Sequence, residues 1–242
     1  MAPVKEVEGS FWDHLEEFRR RLLVILGWVA ALSAAAFFFS VPITERVTAT
    51  SPEPLSALAP AEAFTAHLKI ALTAGIIASS PVILFQVWRF VAPGLYARER
   101  KALVSVSAAG ALLFAGGASF AWFLMREPAL SLFQSFQTGN IRGFWSVTSY
   151  IEFIGTLLLV FGAAFQLPLA VLFLVKTGVA RPADLARYRR HILVGLLVAA
   201  AILTPPDPLT QIMLTVPLYA LFEISLLVAR AAFRKGERAE EA

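Results

Sequence analysis

The sequence has no cysteine, so it can form neither disulfides nor thiolate metal sites. Its three histidines, His14, His67 and His191, fall in three different segments, and no local metal-ligand spacing forms around them. Charge is scarce too: 16% of residues are charged, against ~25% in ordinary soluble domains. No GxxxxGK[ST] stretch is present, so energy for any work must come from somewhere other than a phosphate-binding loop. No GxSx arrangement faces His191, which argues against an intramembrane serine protease. The sequence therefore predicts neither an enzyme nor a cofactor-binding protein.

Apolar residues are abundant. They make up 58% of the 242 residues, and the mean hydropathy is +0.70. The few charges are bunched, and long uncharged runs lie between the bunches, which is the pattern of a polytopic all-α membrane protein. In such a protein the net charge of +4 reports loop orientation first and gives no reason to expect a nucleic-acid partner. Glu6, Glu8 and Asp13 precede the first long run without a small-residue cleavage pattern, so that span is expected to remain in the protein.

Six membrane spans are predicted, at about 22–41, 70–88, 102–124, 151–175, 192–203 and 209–229, within a single transmembrane domain over 1–242. Residues 1–10 and 236–242 are expected to be flexible, and the tail from Arg230 disordered. Ser10 and Asp13 resemble a capping box, placing a helix start near Phe11, with Phe11, Trp12, Leu15 and Phe18 on one face suited to headgroups. Pro42 to Lys69 reads as a loop with a short helix around Pro60–Phe64, and Met125 to Tyr150 as a second large loop. Gly110, Gly116 and Gly117 in the third span would let helices approach closely. Pro81, Pro168 and Pro217 are expected to kink their helices. The fifth span has only 12 clean apolar residues before Thr204-Pro205-Pro206-Asp207-Pro208. At about 18 Å it cannot fill a ~30 Å core unless the bilayer thins or the turn is buried.

Seventeen of the 21 Lys and Arg lie in the N-terminal segment, the second and fourth connections and the tail. Only Arg46, Lys69, Arg126 and Arg142 lie in the first and third connections. That bias predicts N-in, C-in topology. The basic fourth connection, with Arg187, Arg189 and Arg190, is expected to meet lipid headgroups.

The stretch Ser79 to Lys101 stands out as the base of a membrane hairpin. An apolar run ends at Trp88-Arg89-Phe90, Pro93-Gly94 break the helix, and a charged loop places Glu99 among three cations at the water boundary. Glu17 lies at the same predicted surface. Two readings of these carboxylates stay open: each can accept forked hydrogen bonds from a guanidinium partner, or each can form an internal pair, Glu17 with Arg21 four residues on and Glu99 with Arg98 or Arg100. Gln166, Glu152 and Glu223 lie in or near spans, where polar groups must face the protein interior, a cavity or a partner. A helix-to-helix hydrogen bond and a functional site are both compatible with that. Asp207 at the short turn can simply cap the following helix.

Several ordered blocks resemble one family. They are His14-Leu15-Glu16-Glu17-Phe18-Arg19-Arg20-Arg21, Ser80-Pro81-Val82-Ile83-Leu84 through Phe90-Val91-Ala92-Pro93-Gly94-Leu95-Tyr96 with Glu99-Arg100, Phe120 to Pro128 with Ser149-Tyr150-Ile151, and Leu203-Thr204-Pro205-Pro206-Asp207 with Gln211. From residue 10 to about 235 the chain resembles TatC, the multi-span core of the twin-arginine protein translocase. The resemblance implies a cupped, glove-like bundle in the bacterial plasma (inner) membrane, part of an oligomeric complex driven by the proton-motive force. It implies that the protein recognises twin-arginine signal peptides of folded precursors and works with the single-span partners TatA and TatB. The signal-peptide site would comprise Glu17 and Glu99, with Arg19, Phe90 and Pro93 near it. A polar site for a partner helix would comprise Gln166, Thr204 and Gln211. One departure stands out: many members carry glutamate where this chain has Gln166, and glutamine keeps hydrogen bonding but cannot titrate.

Overall fold

The computed structural model describes residues 5–91, 100–137, 144–203 and 208–240. It is helical throughout apart from one very short strand pair, and it forms two compact units, Met1–Glu45 with His67–Ala111 and Arg46–Ala66 with Leu112–Ala242.

The first unit holds α1 (Lys5–Phe38), most of α3 (Glu62–Val91) and the first part of α4 (Arg100–Phe120). α1 begins at Lys5, so Ser10 lies inside the helix and not at its start. Its apolar run leaves Leu22, Leu23, Leu26 and Trp28 exposed, which suits a helix whose solvent is hydrocarbon. α1 and α3 meet at small residues: a Cβ on Gly75 would lie 2.6 Å from both the Cα and the backbone nitrogen of Ser33. One turn on, buried Ser79 returns its hydroxyl to the Gly75 carbonyl at 2.6 Å, so it brings no unpaired donor into the span. Pro81 lies inside α3, and the helix continues through it.

α2 (Ser40–Thr48) follows α1, and α3 begins at Glu62, so the first connection is more helical than the predicted loop. Pro42 does not prevent this, because in the first turn of a helix the N–H it lacks would have no partner. The predicted short helix at Pro60–Phe64 is instead the start of α3.

In the second unit, α4 passes through a π turn at Ala121–Met125 into α5 (Arg126–Ser135). Much of the predicted third connection is therefore helix. α6 (Val147–Ala164) stops at Phe165 and Gln166, and α7 (Leu167–Lys176) resumes with Pro168 in its first turn. The proline breaks the fourth span into two helices, since it can neither donate at that point nor continue the preceding turn. α8 (Pro182–Arg187) is capped by the Asp184 carboxylate, which accepts from the Arg181 backbone N–H at 3.2 Å. α10 (Pro208–Glu240) packs against α7, α8 and α9 (Arg189–Leu203). Its backbone is helical to Glu240, well into the segment expected to be disordered. The core gathers Phe161 and Leu157 of α6, Ala200 of α9, and Leu214 and Leu218 of α10 around Ala121.

Among the described residues, five stretches are long and apolar enough to cross a membrane: in α1, in α3, in α4 through α5, in α6 through α7, and in α10. α9 has 15 residues, about 22 Å of helix, and corresponds to the short fifth span that the sequence predicts.

Close packing gives a clear test. A Cβ on Gly117 would lie 2.8 Å from Phe165 Cγ and 2.9 Å from the carbonyl carbon of Phe161, whereas one on Gly116 meets nothing within 4 Å. Gly117→Ala is expected to destabilise the protein by roughly 1–3 kcal/mol. Gly116→Ala should be neutral or mildly stabilising, and thermal unfolding in detergent would compare the two.

Candidate functional site

The described residues among the sequence-predicted site residues fall into two groups, one in each unit. In the first unit, the N-terminal part of α1 meets the C-terminal part of α3. Helical spacing puts Glu17 one turn before Arg21, and Arg21 Nη2 donates to Glu17 Oε1. The internal pair is therefore formed. Arg21 also donates from Nη1 to Gln86 Oε1 of α3 at 3.3 Å, and its Nε is buried without a partner. The pair is asymmetric in exposure: the Arg21 side chain is 11% exposed and that of Glu17 is 40%. Glu17 thus keeps carboxylate surface for a ligand while Arg21 is locked beneath it.

Glu17 precedes the apolar run that starts at Leu22. The hydrogen bond from Arg21 holds its carboxyl below the usual range, helped by the charges of Arg21, His14 and Arg89 and opposed by partial desolvation. Glu17, Arg20, Arg21, Val24, Gln86 and Arg89 line a cavity of about 100 Å³. Beside it, Phe90 stacks on His14 with centroids 4.4 Å apart and meets Phe18 at 5.5 Å. Glu17 and Phe90 therefore share one end of the helix pair, and exposed Arg19 lies two residues beyond Glu17 on α1. Glu99 and Pro93 lie outside the described residues.

In the second unit, Gln166 sits at the break between α6 and α7, and its amide reaches the Gly162 carbonyl at 3.4 Å. Gln211 of α10 donates to the Leu197 carbonyl of α9 at 2.8 Å. Phe165, next to Gln166 in sequence, and Leu196, next to the Leu197 that Gln211 bonds, pack against the apolar cluster around Phe161. Thr204 lies outside the described residues. Glu223 is paired: it accepts from Arg189 Nη2 at 2.7 Å and from the Tyr219 hydroxyl at 2.9 Å, tying α9 to α10.

Sequence reasoning missed two positions. Gln86 links α3 to Arg21, and the available signal was a lone amide in an apolar run, which must find a partner. Glu62 organises the first and third connections. Its Oε1 accepts from Ser146 Oγ and, at 3.2 Å, from Thr148 N, while Oε2 accepts from the backbone N–H groups of Leu58 and Ala59. The carboxylate thereby fastens the parallel pair β1 (Leu55–Ser56) and β2 (Trp145–Ser146). Thr50 Oγ1 and the Tyr150 hydroxyl, 3.0 Å apart, add a second tie.

Matching the chain to known proteins decides the family. A family model described as Sec-independent protein translocase protein (TatC) matches residues 13–217. The chain belongs to the TatC family. It is 34% identical to the Sec-independent protein translocase protein TatCy of Bacillus subtilis, over 100% of this chain and 97% of that one. It is also 34% identical to the TatC of Escherichia coli K12, over 94% of this chain and 91% of that one. Among solved structures, it superposes on the crystal structure of a twin-arginine translocase receptor, TatC, with a TM-score of 0.81 and 36% identity, covering 90% of this chain and 99% of that one. The chain is thus an all-α, multi-pass membrane protein of the Sec-independent, twin-arginine translocase.

Glu62, outside the apolar run of α3, offers a pH test. The hydrogen bond from Ser146, with those from Leu58, Thr148 and Ala59, holds its carboxyl down at about 2, against desolvation. A depressed folded-state pKa means the tie is fully present above the unfolded carboxylate range and is lost as pH falls through about 2. Glu62→Gln presents an amide donor to neighbours that are themselves donors. It should raise hydrogen exchange at Leu58, Ala59 and Thr148 about tenfold or more at neutral pH. Exchange there in the unaltered protein, corrected for the intrinsic pH dependence, should stay flat down to about pH 5.

Proposed function

We propose that this chain is the receptor and core subunit of its translocase, reading the paired arginines of precursor signal peptides. The observation that carries the reading is the Glu17 carboxylate, part-exposed on α1 just before the apolar run that opens at Leu22, beside the rings of Phe90, Phe18 and His14. A carboxylate held ionised at a water boundary can accept two parallel N–H bonds from a guanidinium, which an ammonium cannot supply. Glu99 provides the second carboxylate in this reading, one for each arginine of the pair. Arg19 and Pro93 border the site, and Phe90 offers an apolar wall to the residues following the arginines.

The rest of the assignment goes with this role. The Lys and Arg bias supports N-in, C-in topology in the bacterial inner membrane, which puts Glu17 and Glu99 on the cytoplasmic face where precursors wait. Gln166, Gln211 and Thr204 form a polar station for the single-span partners TatA and TatB, in an oligomeric complex that exports folded proteins using the proton-motive force. Gln166 and Gln211 support this, because each places an amide, a group that can both donate and accept, at a helix break or helix pair. The reading requires no catalytic group.

Equilibrium binding of a synthetic signal peptide to the purified chain tests the role. An Arg-Arg peptide is expected to bind about tenfold or more tightly than its Lys-Lys twin, a difference of ~1.4 kcal/mol. Glu99→Ala or Glu17→Ala should largely abolish that difference. Equal binding of both peptides to the unaltered chain would return the two glutamates to internal pairing.

A further inference from the structure

Among the described residues, the cavity beside Glu17 is lined by three guanidinium groups and one carboxylate. Arg20, Arg21 and Arg89 line it with Glu17, Gln86 and Val24. Arg21 is the only one of the three guanidiniums with an ion pair among the described residues. Its Nε–H is buried and has no acceptor, an arrangement that costs free energy unless a ligand completes it. Arg20 and Arg89 are exposed and project from α1 and α3, so the cationic lining comes from two helices. The cavity, about 100 Å³, would hold about three waters at ~30 Å³ each, space of the order a tetrahedral oxyanion needs.

We propose that this cavity binds a phosphate group, with Arg20, Arg21 and Arg89 as donors and Gln86 fixing Arg21 from behind. A phosphate oxygen can take the orphaned Nε–H of Arg21 together with a hydrogen of the adjacent Nη2, the forked geometry guanidinium groups favour. The level of the site favours a lipid headgroup as the source of the phosphate. Arg20 and Arg21 immediately precede the apolar run that opens at Leu22, and Arg89 ends the run of α3, the depth at which headgroup phosphates meet basic side chains. The phosphate also has a consequence for Glu17. A doubly cationic peptide approaching Glu17 also meets the three cations of this lining. A bound phosphate lowers that repulsion and competes with Glu17 for Arg21, leaving the carboxylate to the incoming guanidinium. This consequence rests on the receptor reading; the phosphate site does not.

Lipid retention without any peptide tests the site. The purified full chain is equilibrated in detergent with equal amounts of phosphatidylglycerol and phosphatidylcholine, washed, and its retained lipid is counted by mass spectrometry. The unaltered chain is expected to keep phosphatidylglycerol at about fivefold or more over phosphatidylcholine, and Arg20→Gln with Arg89→Gln to erase that preference. Both side chains are exposed, and an unchanged melting temperature would confirm that the variant folds. The paired change Arg187→Gln with Arg190→Gln, in the fourth connection, should retain most of the preference. A second arm adds inorganic phosphate against chloride at matched ionic strength. Retention insensitive to phosphate assigns the site to the lipid headgroup. Displacement by phosphate supports the same site with the free ion as its source. Equal retention of the two lipids, or a preference that survives the Arg20 and Arg89 changes, would overturn the proposal. Because no peptide is present, either result stands apart from the Arg-Arg against Lys-Lys comparison.

Discussion

Hydrocarbon offers no hydrogen bonds, and the placement of nearly every polar group in this chain follows from that. Backbone groups are satisfied by making the spans helical. Hydroxyls inside helices return to the carbonyl one turn back, as Ser79, Ser107, Thr215 and Ser225 all do. Where helices touch within a unit, side chains shrink to let backbones meet, as at Gly75 on Ser33 and Gly117 on Phe161. Charges that cannot be exiled to a helix end are paired, as Glu223 is with Arg189 and Tyr219. Once these demands are met, remaining charge gathers at the ends of the apolar runs. That is where Glu17, Arg20, Arg21 and Arg89 stand, so the position of the candidate site is itself a product of the solvent.

The same constraint explains which parts of the fold can be read in the sequence. Runs free of charge must cross the membrane, so the six elements, including the short α9, are legible from composition and length alone. The connections obey different rules. α2, the start of α3 at Glu62 and the continuation of α4 through a π turn into α5 all fall where prolines and polar residues suggested loops. Proline forbids a helix interior but suits a first turn, and the sequence does not say which of the two applies until the helix start is known. Glu62 was hidden for another reason. Its four partners are contributed by two connections more than 80 residues apart, and no local pattern announces such a bond. Arg21 with Glu17 was legible because four residues is one helical turn, whereas Gln86 with Arg21 spans 65 residues and was not.

The break at Phe165 and Gln166 shows how one residue choice shapes the second polar station. Pro168 ends α6 early, and Gln166 is left at the seam, reaching back to the Gly162 carbonyl. Glutamine can occupy such a seam without the desolvation cost of an ionised carboxylate, and it can both donate and accept. A helix arriving there meets an amide whose hydrogen bonding does not change with pH. Any response of this protein to protonation must therefore come from other groups. Glu223, in the last span, is already held by a cation and a phenol.

The internal pair of Glu17 with Arg21 need not count against a binding role, because it sets the terms of exchange. A free carboxylate at a water boundary would attract any cation, lysine included, largely by charge. A carboxylate already bonded to a guanidinium gives up that partner, or shares it, only for a ligand that bonds at least as well. An ammonium offers a compact charge without a fork and loses that comparison, while a second guanidinium draws level. In the proposed receptor, Arg21 would then be a reference that the ligand must match. Such a site trades affinity for discrimination, since the free energy of binding is the difference between two similar pairs. Gln86 sharpens the comparison by fixing Arg21, so that the displaced cation neither follows the ligand nor leaves the cavity.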